Sequence, residues 1–88
     1  MSFEFDHTKS ISNKQKHGID FDEAQSLWDD SEILIVPVIA GMDEPRWVII
    51  GMIGIKHWTA IITYRDENIR MISVRRARKE EIEHYENQ

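Results

Sequence analysis

The sequence contains no cysteine. Disulfide bonds, zinc sites built from thiolates and a thiol nucleophile are therefore excluded, and we expect a reducing compartment, the cytoplasm. His7, His57 and His84 lack metal-ligand spacing, so no metal site is expected, and no other cofactor is indicated. The longest apolar stretch, Trp47 to Ile55, is too short to span a bilayer, so a membrane is not an expected partner.

The length and composition indicate one small globular domain over residues 1–88. The chain has 88 residues, of which 41% are hydrophobic and 31% are charged. This length allows a single modest core, and the composition is typical of folded proteins rather than of disordered ones.

Charge is unevenly distributed along the chain. The net charge of -5 argues, taken alone, against binding to nucleic acid. However, Asp20 to Glu44 contains eight acidic residues and no lysine or arginine, whereas Arg65 to Lys79 contains six basic residues and two acidic ones. An acidic protein can still bind an anion at such a local basic patch. The alternative is that these cations are only solvated surface.

Local signals predict two helices in the first third of the chain. Phe3 to Phe5 alternates in polarity and is compatible with a short strand. Asp6 is a typical N-cap, and Gly18 a typical helix end. Asp20 to Glu23 resembles a capping box, and an apolar stripe at helical spacing, Phe21 to Trp28, predicts a second, short helix.

The central part of the chain is rich in β-branched and aromatic residues, which predict strands. Pro37 cannot donate to a central ladder, so its strand is expected at an edge or to end early. A turn is expected over residues 40–45, and a helix after the last strand. The predicted strands are Ile33 to Val38, Arg46 to Ile53, His57 to Tyr64 and Ile69 to Val74, and the helix is Ala77 to Tyr85. The predicted fold is therefore α+β, with two N-terminal helices, a four-stranded antiparallel sheet and a C-terminal helix.

The last predicted hairpin holds several arginines. A two-residue loop at Glu67 and Asn68 places Arg65 opposite Arg70. Facing cations are unfavourable unless a phosphate, solvent or a different register relieves them. Arg75 and Arg76 are adjacent in the strand, so their side chains point to opposite faces. One of these two is then expected to be structural and paired with an acidic residue.

Arginine suits phosphate binding because its planar guanidinium makes two hydrogen bonds and stays charged. A ribonuclease that uses no metal needs such cations, together with a base and an acid. His17 is the first candidate for proton transfer, because imidazole ordinarily titrates near neutrality; Lys16 and Tyr85 are weaker ones. The alternatives are a role for His17 at the helix C-terminus and a packing role for Tyr85.

Three stretches of the chain resemble the BrnT toxin family. They are Phe3 to Asp6, Lys16 to Ala24 and Ile69 to Ala77, followed by a charged helix that ends in the pair Tyr85 and Glu86. The resemblance extends over nearly the whole chain in the family's order. The departures are Phe5 for the usual Trp, Met71 for Ile and Val74 for Ala, and none affects a charged position.

This resemblance implies a fold similar to RelE-like ribonucleases, metal-independent cleavage of RNA, and growth arrest through loss of translation. It also implies a partner, a BrnA-like antitoxin, which binds DNA and represses the shared operon; the toxin itself is not expected to bind DNA directly. The alternative is a catalytically weak module that mainly holds the antitoxin and tunes repression. The catalytic candidates that the family resemblance implies are Lys16, His17, Arg65, Arg75 and Arg76. The other cations of the basic segment are expected to bind RNA, namely Arg70, Arg78 and Lys79.

Overall fold

The computed structural model describes residues 2–38 and 44–88; most of the turn expected over 40–45 falls outside these ranges. In chain order its elements are β1 (Phe3–Glu4), α1 (His7–His17), a 3-10 helix (Glu23–Asp29), β2 (Leu34–Val38), β3 (Arg46–Ile53), β4 (Lys56–Arg65), β5 (Asn68–Arg76) and α2 (Lys79–Glu86). The α+β class is confirmed, and the second helix is a 3-10 helix.

The sheet has five strands in the order β1-β5-β4-β3-β2. The prediction of a four-stranded antiparallel sheet is wrong, because β1 lies parallel to β5 and makes the sheet mixed. Ile69 N donates to Ser2 O at 2.8 Å beside this pair. The partners of β1 lie more than sixty residues away along the chain, so no local turn signal indicates the pairing. The antiparallel order of β2 to β5 is as expected.

Both helix signals near the N-terminus correspond to real contacts. The Asp6 side chain accepts a hydrogen bond from Lys9 N at 3.1 Å, and Gly18 ends α1 with a φ of 81°, a conformation that glycine adopts without strain. The capping box also forms: Glu23 N donates to Asp20 Oδ1 at 2.8 Å, and Asp20 N donates to Glu23 Oε1 at 3.0 Å.

The hydrophobic core lies between one face of the sheet and the 3-10 helix with its preceding loop. The loop and helix contribute Ile19, Phe21, Ala24 and Leu27, and the sheet contributes Ile49, Trp58, Ala60, Ile62, Ile69, Met71 and Val74. Gly51 allows close packing here, because a Cβ at this position would lie 3.1 Å from Leu27 Cδ2 and 3.3 Å from Asp30 Oδ2.

The last hairpin turns one residue earlier than expected. Arg65 pairs with Asn68 and Thr63 with Arg70, so the loop consists of Asp66 and Glu67, with a φ of 55° at Asp66. The expectation that Arg65 faces Arg70 is therefore wrong, and no bound phosphate is needed to offset such a pair.

Helix α2 lies on the opposite face of the sheet and is attached by three carboxylates, of which Glu86 lies 2.8 Å from His57 Nε2 of β4. Glu81 Oε1 accepts from Arg78 N at 2.7 Å and from Thr59 Oγ1 at 3.1 Å, and Glu81 also forms an ion pair with Arg75. Asp30 accepts from Tyr85 OH, near the end of the helix, at 2.6 Å. These contacts fix α2 across one end of the sheet.

Candidate functional site

The end of α1 and the end of β5 lie at the same end of the sheet because Asn13 joins the two elements. Asn13 Nδ2 donates to Val74 O at 2.8 Å, and Asn13 Oδ1 accepts from Val74 N at 3.2 Å. His17 follows Asn13 by one helical turn, about 5.4 Å, and Arg76 follows Val74 by two strand residues, about 6.6 Å. The hydrogen bond from Lys9 N is the main cause that lowers the pKa of Asp6, and Arg70 makes a smaller contribution, so the start of α1 lies near Arg70. Helix α1 therefore runs along β5 in the same direction.

We call the resulting group of exposed basic side chains the cationic end. It consists of Lys16, His17, Arg76, Arg78 and Lys79. Within residues 2–38 and 44–88, none of these five side chains forms an ion pair with a carboxylate. The charge of these lysines and arginines is consequently directed to solvent, which is the arrangement that attracts an anionic ligand.

Arg75 and Arg76 point to opposite faces, as the strand geometry requires. Arg75 lies opposite Thr59 and binds Glu81 in a bidentate manner, at 2.8 Å and 2.9 Å. This hydrogen-bonded pair raises the pKa of Arg75 and lowers the pKa of Glu81 to about 2. Arg76 lies opposite Trp58, with its guanidinium carbon 5.4 Å from the ring centroid. Arg75 thus holds α2, whereas Arg76 extends into the cationic end.

Arg65 and Arg70 lie at the other end of the sheet. Arg65 binds Glu44 through Nε at 3.0 Å and Nη2 at 3.2 Å, and this pairing raises the pKa of Arg65. Arg70 Nη1 lies 3.4 Å from Glu4 Oε1. The strand between Arg70 and Arg76 spans about 20 Å, so the two groups cannot contact one phosphate. The structure thus separates the predicted site residues into a cationic end, a distant ion-paired group and the internally paired Arg75.

Tyr85 is only 7% exposed. Its hydroxyl donates to Asp30 Oδ2 at 2.6 Å, and this hydrogen bond, with burial, raises the pKa of Tyr85 to about 12. A phenol with this pKa stays protonated at neutral pH, so Tyr85 is not poised to act as a base. The geometry gives Tyr85 a packing role.

Three residues that organise the site were not singled out from the sequence. Asn13 shares a helical face with Lys9 and Lys16 by spacing and looks solvated, yet it is buried. Asp30 belongs to the acidic segment, but it accepts hydrogen bonds from Tyr85 OH, Met52 N at 2.8 Å and Glu32 N at 2.9 Å. Glu81 was one acid among several in the last helix. Its place at N3 of α2, three residues after Arg78, was the one signal that could have marked it.

The described ranges contain no group of three or more His, Cys, Asp or Glu side chains that could hold a metal ion. No helix in the described part of the chain has both the length and the apolar character needed to cross a membrane.

A set of exposed cations at one end of a small α+β domain is the kind of surface that binds a polyanion such as a nucleic acid. The comparison with protein families agrees with this class: residues 5–81 match the family model described as "Ribonuclease toxin, BrnT, of type II toxin-antitoxin system". The chain therefore belongs to the BrnT toxin family, and as a type II toxin it has an antitoxin partner. No curated protein matches the chain.

Proposed function

We propose that this toxin is an endoribonuclease that cleaves RNA without a metal ion, with its site at the cationic end. The observation that carries the proposal is that Lys16, His17 and Arg76 lie at one end of the sheet without carboxylate partners in the described ranges. By contrast, Arg65, Arg70 and Arg75 are engaged by Glu44, Glu4 and Glu81. We assign these three arginines to structure rather than to catalysis.

In the proposed reaction the 2′-hydroxyl of RNA is the nucleophile. His17 accepts its proton, the 2′-oxygen attacks the adjacent phosphorus, and the bond from phosphorus to the 5′-oxygen breaks. Lys16 donates the proton that the departing 5′-oxygen needs. Arg76 stabilises the charge that develops on the phosphate oxygens, and its stacking on Trp58 limits its freedom before RNA binds. Arg78 and Lys79 bind the flanking phosphates.

The products are then a 2′,3′-cyclic phosphate and a free 5′-hydroxyl, and DNA, which lacks the nucleophile, is not cleaved. In the cytoplasm this activity stops translation and growth, as in RelE-like enzymes. A BrnA-like antitoxin binds the toxin and, through its own DNA-binding part, represses the operon.

The test combines expression with assays on purified protein. Expression of the chain alone should arrest growth, and co-expression of the adjacent small gene should restore it. Purified toxin should cleave RNA in EDTA and leave cyclic phosphate ends, and His17→Ala should abolish cleavage. Arg65→Ala is the matched control, because it removes a cation that Glu44 already neutralises. Activity lost in EDTA and restored by magnesium, or cleavage of single-stranded DNA, contradicts the mechanism. Normal growth with abundant soluble toxin favours the catalytically weak binding module.

A further inference from the structure

Strand β3 is apolar on both of its faces. Trp47 and Ile49 point to the core, whereas Val48 and Ile50 point to the opposite face of the sheet. A continuous apolar run of this kind is typical of a strand that is covered on both sides. Only the core face is fully covered by the described part of the chain.

On the opposite face, α2 covers one end of the sheet, and the other residues in 2–38 and 44–88 leave the rest of that face uncovered. Ile50 is 4% exposed beneath this helix, but α2 has eight residues and spans only about 12 Å. Beyond it lie Val36 and Val38, 40% and 36% exposed, and the half-buried Val48 and Ile61. Because Val36 pairs with Val48, and Val48 with Ile61, these side chains form one surface, which we call the open face.

A groove of about 470 Å³ runs along the boundary between the open face and α2. Its floor is formed by Leu34, Val36, Val48 and Ile50, and its wall by residues of α2 and the C-terminus that include His84 and Gln88. An apolar floor beside an existing helix is the shape that accepts a second helix, laid alongside the first.

We propose that the open face is the docking surface for an amphipathic helix of the antitoxin, which packs beside α2. The proposal rests on family membership for the existence of the partner, and not on the ribonuclease mechanism. A helix fits better than an added strand, because the apolar surface is a sheet face, and because Pro37 removes a backbone donor from the edge strand β2.

Charge defines the chemistry of the partner helix. The solvent-exposed side of α2 carries Glu80 and Glu83 against a single lysine, Lys79, while Glu86 is paired with His57 of β4; the whole chain has a net charge of -5. A partner helix with an apolar stripe toward the open face and lysine or arginine toward α2 complements both surfaces. Lys16, His17 and Arg76, to which we assign the chemistry, lie on α1 and at the end of β5 rather than on the open face, so docking there leaves these three residues unaltered.

The test compares Val36→Lys with Ile35→Lys. The two residues are neighbours in β2 and similarly exposed, at 40% and 45%, but they point to opposite faces of the sheet. Binding to the purified product of the adjacent small gene is measured by calorimetry. Val36→Lys should weaken binding by about thirtyfold or more, as expected for a residue at the centre of an interface, and Ile35→Lys by less than about threefold.

Three controls keep the outcome unambiguous. Thermal melting checks that both variants are folded, and the side-chain methyl NMR signals of Val48 and Ile61 should shift when the wild-type complex forms, whether or not the variants fold. RNA cleavage by the free variants should equal that of the wild type, so a failure of the ribonuclease proposal leaves the binding result intact. Equal losses for the two variants, unshifted methyl signals on the open face, or a wild-type chain that uses this surface to form its own dimer would each overturn the inference.

Discussion

The Glu81 carboxylate offers the sharpest test of how α2 is held. It accepts hydrogen bonds from Arg75, Arg78 N and Thr59, and its side chain is only 20% exposed. These partners lower its pKa from 4.5 to about 2. Since one pKa unit corresponds to 1.36 kcal/mol, the folded state gains about 3 kcal/mol at most from ionised Glu81, and about 2 kcal/mol after partial screening by solvent.

The sign of the pH dependence follows from this lowered pKa. The stabilisation is fully present above pH 4.5, the pKa expected in the unfolded chain, and it is lost as the pH falls toward 2. Glu81→Gln keeps the size of the side chain but removes the charge. It should therefore lower the free energy of unfolding by about 2 kcal/mol at pH 7, and the difference from wild type should shrink below pH 4.5.

The assay is urea unfolding followed by fluorescence of the three tryptophans, at several pH values between 7 and 3. Glu83→Gln is the matched control, because Glu83 lies on the same helix but is exposed, and its effect should be close to zero. A loss below about 0.5 kcal/mol for Glu81→Gln, or parallel stability curves for the variant and the wild type down to pH 3, would refute the role assigned to this carboxylate.

Four further substitutions test the site and its supports. Arg76→Ala should reduce RNA cleavage by about a hundredfold or more without lowering the melting temperature, whereas Arg75→Ala should lower the melting temperature; full activity in Arg76→Ala would place the site elsewhere. Tyr85→Phe leaves Asp30 with one donor fewer and should cost about 1–2 kcal/mol in urea unfolding, while cleavage persists; loss of cleavage in folded protein would return Tyr85 to catalysis. Asn13→Ala should cost about 2–3 kcal/mol because buried backbone groups lose their partner. RNA cleavage by Asn13→Ala should decrease by more than the loss of folded protein explains. A decrease in cleavage that only matches the decrease in the folded fraction would show that Asn13 does not position His17.

Local chemistry made parts of the fold predictable. Helix α1 begins after Asp6 and ends at Gly18, and both residues make hydrogen bonds to residues three or four positions away. Such local contacts can be predicted from sequence spacing. The pairing of β1 with β5 depends on residues far apart in the chain, and spacing carries no information about it. The predicted register of the hairpin differs from the observed one by one residue because Asp66 adopts a positive φ. Aspartate tolerates this conformation, but its presence in a sequence does not predict it.

The sequence predicted the types of residue in the candidate site, but not how they are arranged in space. Alternation along β5 correctly placed Arg75 and Arg76 on opposite faces. Which of them pairs with an acid depends on where α2 packs, and only the tertiary structure supplies that. The clustering of basic residues also predicted Arg65 and Arg70 as site residues. Their acidic partners, Glu44 and Glu4, are distant in sequence, so the ion pairs that engage them could not be predicted.

The side chain of Asn13 has a consequence for solubility. Strand β1 pairs with β5 only at Ile69 and Arg70, so the following stretch of β5 is a sheet margin. Asn13 offers one amide donor and one amide acceptor to the backbone of Val74, as a residue of a neighbouring strand does. This carboxamide occupies groups that could otherwise pair with a second molecule, a common route to aggregation. At the other margin, Pro37 removes a donor from β2. The two margins of the sheet are thus protected against further strand pairing by different means, one by the Asn13 side chain and the other by the pyrrolidine ring of Pro37.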